Sequence, residues 1–221
     1  MQELFYGNPL LYQKEIMISQ ELSILMNKIK SENPQIWNAW VSSFPPQPNS
    51  EIVEEDLLDM IKEIEKQTPA DVSFVNEAED DKEKLFVKMM KEKGIEISEG
   101  ELKEITYYLD PITMWLKYHF NYPRPYQVAY FRSVPLYPSQ STNANSPSYP
   151  SGHSIDSLCI GVILSKKYPE HKEAIMALAY RISMSRHISG IHFSFDKSFG
   201  ESIGIYIGEN YSEFLTEISR G

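Results

Sequence analysis

The chain has 221 residues, enough for one sizeable hydrophobic core, with the 42% apolar and 24% charged content of an ordinary globular protein. Its net charge of -10, without a long Lys/Arg run, excludes a phosphate-neutralising face for nucleic acid and disfavours adsorption to anionic membranes. Apolar runs end at about ten residues, too short to span a bilayer. The start, MQELFYGNPLLYQKE, lacks the basic-then-apolar pattern of a leader. The expected location is the cytoplasm, or the periplasm if a leader has been removed.

Read along the chain, helical periodicity dominates. PLLYQKEIMISQELSILMNKIK carries apolar residues at Ile18, Leu22, Leu25, Met26 and Ile29, and Asn33-Pro34 then opens a short segment with Trp37, Trp40 and Val41. FPPQPNS, 44–50, is a break, because prolines at 45, 46 and 48 block a regular helix. One amphipathic stretch runs from Ser50 or Glu51 to about Gln67, and the next from Pro69 through Met90 to a stop at Gly94. Within the latter, the carboxylate-rich NEAEDDKEK reads as a solvated helix face.

Ser98 and Glu101 form a capping-box pattern. Asp110-Pro111 reads as an N-cap followed by proline at the first position of the helix ITMWLKYHF. Residues 121 to 150 lack helical pattern and contain RSVPLYPSQSTNANSPSYP, a polar, proline-rich loop of functional length. Three more helices are predicted, over about 152–167, 170–188 and 197–218, with Gly190 ending the second and Asp196 capping the third. The single cysteine, Cys159, rules out an intramolecular disulfide, and its apolar surroundings IDSLCIGVIL predict packing rather than reactivity. Gly200, Gly204 and Gly208 line one face of the last helix and predict a close helix–helix approach. Strand alternation is nearly absent, so the fold class is all-α. A single helical domain is expected, with residues 1–100 as an N-terminal region without a recognised motif and 101–221 as the core that carries the chemistry.

The polar residues near the helix ends form an ordered set. Lys117 is followed after six residues by Arg124-Pro125; then come Pro150-Ser151-Gly152-His153; then Ser185-Arg186, five residues, His192, three residues and Asp196. A phosphate monoester is a dianion whose transfer is catalysed mainly by positioning and charge stabilisation. Lys117, Arg124 and Arg186 supply three cations, and the planar arginine fork suits two phosphate oxygens at once. Ser151 and Gly152 stand at a predicted helix N-terminus, where free N–H groups and the helix dipole favour an anion. Asp196, four residues after His192, is a carboxylate able to fix the histidine tautomer and support its positive charge. Each residue alone has an ordinary structural explanation. Eleven in this order arise by chance on the order of once in a billion chains, at roughly one in twenty per position. His119 and His187 fall outside the set and read as structural or supporting, and His171 as exposed.

The set K-x6-R-P, P-S-G-H and S-R-x5-H-x3-D resembles the signature of the type 2 phosphatidic acid phosphatase superfamily, which also holds bacterial class A acid phosphatases and vanadium haloperoxidases. The resemblance covers about residues 117 to 196 and implies the compact helical bundle of those enzymes. It implies that His192 is the nucleophile and forms a phosphohistidine, supported by Asp196. His153 is then the general acid that protonates the leaving alcohol and later helps activate water. Lys117, Arg124, Ser151, Gly152 and Arg186 bind the phosphate. No metal or other cofactor is expected, and vanadate acts as an inhibitor. With an ordinary histidine value of about 6.5, activity is expected to peak below neutrality in a bell-shaped profile. The loop 131–149, with Phe131, Tyr137 and Tyr149, is expected to roof the site and select the leaving group.

The superfamily's lipid phosphatases are multi-span membrane proteins, and no such span is present in this sequence. Its soluble acid phosphatases carry G-S-Y-P-S-G-H-T, which this chain matches as PSYPSGHS with departures at Pro147 and Ser154. The expected partner is therefore a small phosphorylated substrate, with no nucleic acid and no membrane span. The glycine-striped helix and the N-terminal helices also allow a homodimer. Two alternatives stand beside the phosphatase: a vanadate-dependent haloperoxidase with vanadate held at His192, and a non-catalytic phosphate-binding helical scaffold.

Overall fold

The computed structural model describes residues 23–139 and 144–219, so Ile18 and Leu22 of the first predicted helix lie outside the described residues. Among the described residues the chain is all-α, with no strand. In order come α1 (Ile24–Glu32), α2 (Pro34–Val41), α3 (Glu51–Glu65), α4 (Pro69–Asp80), α5 (Lys82–Glu92) and α6 (Glu99–Phe120). They are followed by α7 (Pro125–Phe131), α8 (Gly152–Lys167), a 3-10 turn (Pro169–His171), α9 (Lys172–Ile188), α10 (Ser194–Asn210) and α11 (Ser212–Ile218). No helix among the described residues is long and apolar enough to cross a membrane.

The centre of the fold is α8. Ile155, Leu158, Cys159, Ile160, Ile163 and Leu164 are all buried, so the helix is apolar around its circumference and must be enclosed by others. Its most extensive partners are α10 and α9, with α6 beside them. The approach of α10 is set by glycine. A Cβ at Gly204 would stand 2.3 Å from the Ile155 carbonyl oxygen, and one at Gly200 would stand 2.6 Å from that of Ser151. The close approach expected of the glycine stripe is this internal contact, so the stripe carries no argument for a dimer.

The main core draws on both halves of the chain: Leu25, Trp37 and Phe86 pack in one cluster with Leu109, Ile160 and Ile203. A smaller cluster joins Val53, Leu57 and Met60 of α3 to Val128 and Ala129 of α7, and to Tyr122, Tyr149 and Phe193. It presses α3 and α7 against the residue that follows His192. The proline-rich break is held to it by two phenols, Tyr122 donating to the Pro46 carbonyl at 2.8 Å and Tyr149 to the Ser43 carbonyl at 2.7 Å.

Four local expectations change. The stretch from Pro69 to Met90 is two helices, because the Asp81 carboxylate accepts from the Lys84 N–H at 3.0 Å and starts α5 as an N-cap. Asp110-Pro111 starts no helix; Pro111 is buried inside α6. An interior proline costs about 3 kcal/mol or more, but burying Leu109, Ile112 and Leu116 contributes about 1.5–3 kcal/mol each and outweighs it. Within 121–150, α7 forms over seven residues, too few to show a period, started by Pro125 and by the Arg124 N–H donating to Gln127 Oε1 at 2.7 Å. The last predicted helix starts earlier, at Ser194, and is divided at Tyr211. Asp196 is thus its third residue rather than its cap, and its carboxylate accepts from the Phe193 N–H at 2.9 Å.

Gly204→Ala is expected to lower unfolding free energy by about 1–3 kcal/mol, the usual range for overpacking. Gly100→Ala, where a Cβ would meet nothing nearer than Ser98 Oγ at 3.6 Å, should instead be neutral or gain about 0.5 kcal/mol. Urea unfolding of the two variants checks the contrast.

Candidate active site

A cavity of about 450 Å³ opens where α6, α8 and α9 meet the loops before α8 and after α9. Its lining includes six residues named from the sequence: Lys117, Arg124, Gly152, His153, Arg186 and His192. Two others stand behind it. Ser151 caps α8, its hydroxyl accepting from the Ser154 N–H at 3.4 Å, and its own N–H donates to the Asp196 carbonyl at 3.0 Å. Asp196 is fully buried, with Oδ2 3.1 Å from His192 Nδ1.

The three cations are almost fully buried, at 4% exposure for Lys117 and 2% for Arg124 and Arg186. Each is held by its surroundings. Lys117 Nζ donates to the carbonyls of Pro147 at 2.7 Å and Ser148 at 3.1 Å. Arg124 donates from Nε to the Ser146 carbonyl at 2.9 Å and from Nη1 to the Ile191 carbonyl at 3.0 Å. Arg186 pairs with Glu79 at the end of α4. Arg186 Nε and Thr113 Oγ1, both in residues that line the cavity, have no hydrogen-bond partner among the described residues.

His192 is fixed from both ring nitrogens. Asp196 Oδ2 accepts from the Phe193 N–H and from Ser148 Oγ, and its remaining neighbour is His192 Nδ1. On the opposite side, Arg124 Nη1 stands 2.9 Å from Nε2. Since guanidinium can only donate, Nε2 is the acceptor and the proton sits on Nδ1, directed at Asp196. Burial, followed by the charges of Arg124, Lys117 and Arg186, holds His192 well below the usual histidine range. Burial, Arg186 and Lys82 do the same to His153, against the Ala78 carbonyl that favours its charged form. Burial and Arg124 also pull Lys117 well below the lysine range, and burial brings Arg186 down to about 10 against the pull of Glu79. Burial lifts Asp196 to about 7, opposed by its Ser148 and Phe193 donors.

Several residues at the site escaped the sequence reading. Glu79 belongs to the stretch expected to be a solvated face; it is instead the counter-ion of Arg186. Lys82 and Asp156 line the cavity and pair at 3.2 Å, with the buried Glu83 3.1 Å from the same ammonium, and Asp110 lines it too. The i, i+3 spacing of His153 and Asp156 on a helix was the available signal for Asp156. Behind the site, Asp56 Oδ2 of α3 accepts from the Ser194 N–H at 2.8 Å and its hydroxyl at 2.9 Å, two residues after His192. His187 lies 3.8 Å from the other Asp56 oxygen.

Other sequence expectations fall away from the cavity. Phe131, Tyr137 and Tyr149 do not line it: Tyr137 is 83% exposed, and Tyr149 is buried against Phe199, ring to ring at 4.8 Å. The described part of that loop that reaches the cavity is Asn145 and Ser146. His119 stacks on Trp115 at 5.0 Å, away from the site, and His171 is partly exposed beside Glu170. Cys159 is buried in the core.

Compared with known proteins, residues 105–214 match the model of the PAP2 superfamily, a stretch that contains every motif residue from Lys117 to Asp196. No curated protein matches the chain.

Asp56→Ala removes the acceptor of two hydrogen bonds at the start of α10 and is expected to cost about 1–3 kcal/mol of stability. Asp56→Asn keeps one acceptor oxygen and should cost less. Chemical denaturation ranks the pair.

Proposed function

This chain belongs to the PAP2 superfamily, the type 2 phosphatidic acid phosphatases, and from that premise we propose that it hydrolyses phosphate monoesters through a phosphohistidine on His192. The observation that carries the proposal is the placement of His192, with Nδ1 3.1 Å from Asp196 Oδ2 and Nε2 2.9 Å from Arg124 Nη1, in a cavity shared with Lys117 and Arg186.

In the first step the phosphoryl oxygens draw Arg124 Nη1 off Nε2, the freed lone pair attacks phosphorus and the bond to the leaving oxygen breaks. Positive charge developing on the imidazole draws the proton off the neighbouring Asp196, lifted to about 7 in the free enzyme, and the resulting carboxylate supports that charge, while Lys117, Arg124 and Arg186 balance the phosphoryl oxygens. His153 gives its proton to the leaving oxygen and becomes neutral. In the second step it takes a proton from water, the water oxygen attacks phosphorus, and the N–P bond breaks to return His192 and release phosphate. Gly152 at the start of α8 allows backbone N–H groups to approach the phosphoryl oxygens.

His192→Ala is expected to reduce p-nitrophenyl phosphate hydrolysis by on the order of 10³-fold or more, and orthovanadate to block the wild type. His153→Ala should cost about 10²–10⁴-fold on alkyl phosphates but far less on p-nitrophenyl phosphate, whose phenolate leaves without a proton. Equal losses on both esters would remove His153 from the acid role. Halide oxidation with vanadate and peroxide, without phosphatase turnover, would favour the haloperoxidase instead, and silence in both assays would favour the scaffold.

The pH profile follows from the two lowered histidines. His192 acts unprotonated and His153 protonated, so activity lies between their values. Both are pushed down, which places the alkaline limb of kcat/KM, a property of the free enzyme, below about 6.5. A bound dianion offsets Arg186 and Lys117 and raises His153, so the alkaline limb of kcat should lie at higher pH than that of kcat/KM. Steady-state kinetics from pH 4 to 9 measures both limbs.

A further inference from the structure

Two chemistries share the cavity. Lys117, Arg124 and Arg186 surround His192 at one end, as a phosphoryl group requires. The same cavity is also lined by Lys82, Asp110, Thr113 and Asp156, none of them part of the motifs. Carboxylates repel a phosphate dianion, so Asp110 and Asp156 are unsuited to the phosphoryl end. We infer that Asp110, Thr113, Asp156 and Lys82 form the leaving-group subsite, and that it takes a hydroxyl-rich alcohol, a polyol or a sugar. The inference rests on the phosphatase reading and adds the class of substrate.

Placement comes first. His153 protonates the leaving oxygen, so the alcohol lies on its side of the cavity. Asp156 follows His153 by three residues on α8 and shares its face. On α6, Asp110, Thr113 and Lys117 fall at i, i+3 and i+7, one helix face that leads from this subsite to the phosphoryl end.

The bonding capacity follows. Lys82 Nζ is shared between Asp156 at 3.2 Å and Glu83 at 3.1 Å, so its charge is already balanced. It is poorly placed to hold a second phosphate. Asp110 is an exposed residue at the edge of the cavity, with no hydrogen bond or ion pair among the described residues within 4 Å. Thr113 is 5% exposed and its hydroxyl is buried without a hydrogen-bond partner among the described residues. A carboxylate only accepts, an ammonium only donates and a threonine hydroxyl does both. The ligand group that answers all three is a hydroxyl, which donates to Asp110 and Asp156 and accepts from Thr113 and Lys82. An alkyl chain would leave the Thr113 hydroxyl unpaired and strip water from Asp110, which is how a polar site rejects an apolar analogue. Met114 and Tyr118 complete the lining and offer apolar surface to the C–H face of a sugar. The volume, about 450 Å³, suits a small sugar phosphate.

The test compares kcat/KM of the wild type for glycerol 1-phosphate and a hexose 6-phosphate with that for butyl and hexyl phosphate, and for phosphoethanolamine. p-Nitrophenyl phosphate is the common reference. The expected result is a preference of tenfold or more for the hydroxylated esters. Asp110→Asn and Thr113→Val, both near-isosteric, should each reduce that preference at least fivefold. A preference for alkyl or ammonium-bearing esters overturns the inference without help from any variant. So does a variant that slows every ester in the same proportion, because it would then act through His153 or the fold. Turnover of p-nitrophenyl phosphate with no preference among alcohols defeats the subsite alone. No turnover of any ester by the wild type defeats the phosphatase reading and the subsite with it.

Discussion

Lys117, Arg124 and Arg186 carry positive charge into the largely buried lining of a cavity in the helical bundle, and the surrounding structure is arranged to make that tolerable. An isolated buried cation costs several kcal/mol or more. Here Lys117 is held by the carbonyls of Pro147 and Ser148, Arg124 by those of Ser146 and Ile191, and Arg186 by Glu79. The first two sets of acceptors come from the loops before α8 and after α9, so the same bonds that stabilise the cations also shape the loops that carry Ser148 and His192. The charges in turn press on the histidines. They disfavour imidazolium at both His153 and His192, and an anion that neutralises them reverses that pressure.

The second constraint is steric. Motif residues separated by some forty positions meet because α10 can press its glycines against the backbone of α8. That contact brings the Asp196 carbonyl to the Ser151 N–H at 3.0 Å, which joins the start of α8 to the start of α10. Asp196 therefore has two structural duties beside its place behind His192. Its backbone ties the two helix starts together, and its carboxylate accepts from the Phe193 N–H.

The N-terminal helices are part of the site's construction. Glu79 in the last turn of α4 neutralises Arg186; Lys82 begins α5 and lines the cavity; Asp56 on α3 holds Ser194 next to the loop of His192. The break between α4 and α5 at Asp81 matters for this, since it lies between Glu79 and Lys82. A single continuous helix there would place the two side chains differently around its axis.

The sequence by itself determined the helical class, a close helix approach along the glycine stripe and the ordered set of cations and histidines; that the approach is internal to the chain was decided by the fold. The first three are legible because helical period, steric size and side-chain charge are local properties. The sequence did not reveal that α6 passes through Pro111, that Glu79 is a counter-ion, or that Tyr149 belongs to the core. Those outcomes depend on which distant surface arrives opposite each residue. Burial of Leu109, Ile112 and Leu116 decides the first, the arrival of Arg186 decides the second, and the face of Phe199 decides the third. Asp56, Asp110 and Asp156 show the same division. Asp56 and Asp156 read along the chain as ordinary helix carboxylates and Asp110 as an N-cap, and only the packing of α3, α6 and α8 gives the first an N–H to hold and leaves the other two lining a cavity.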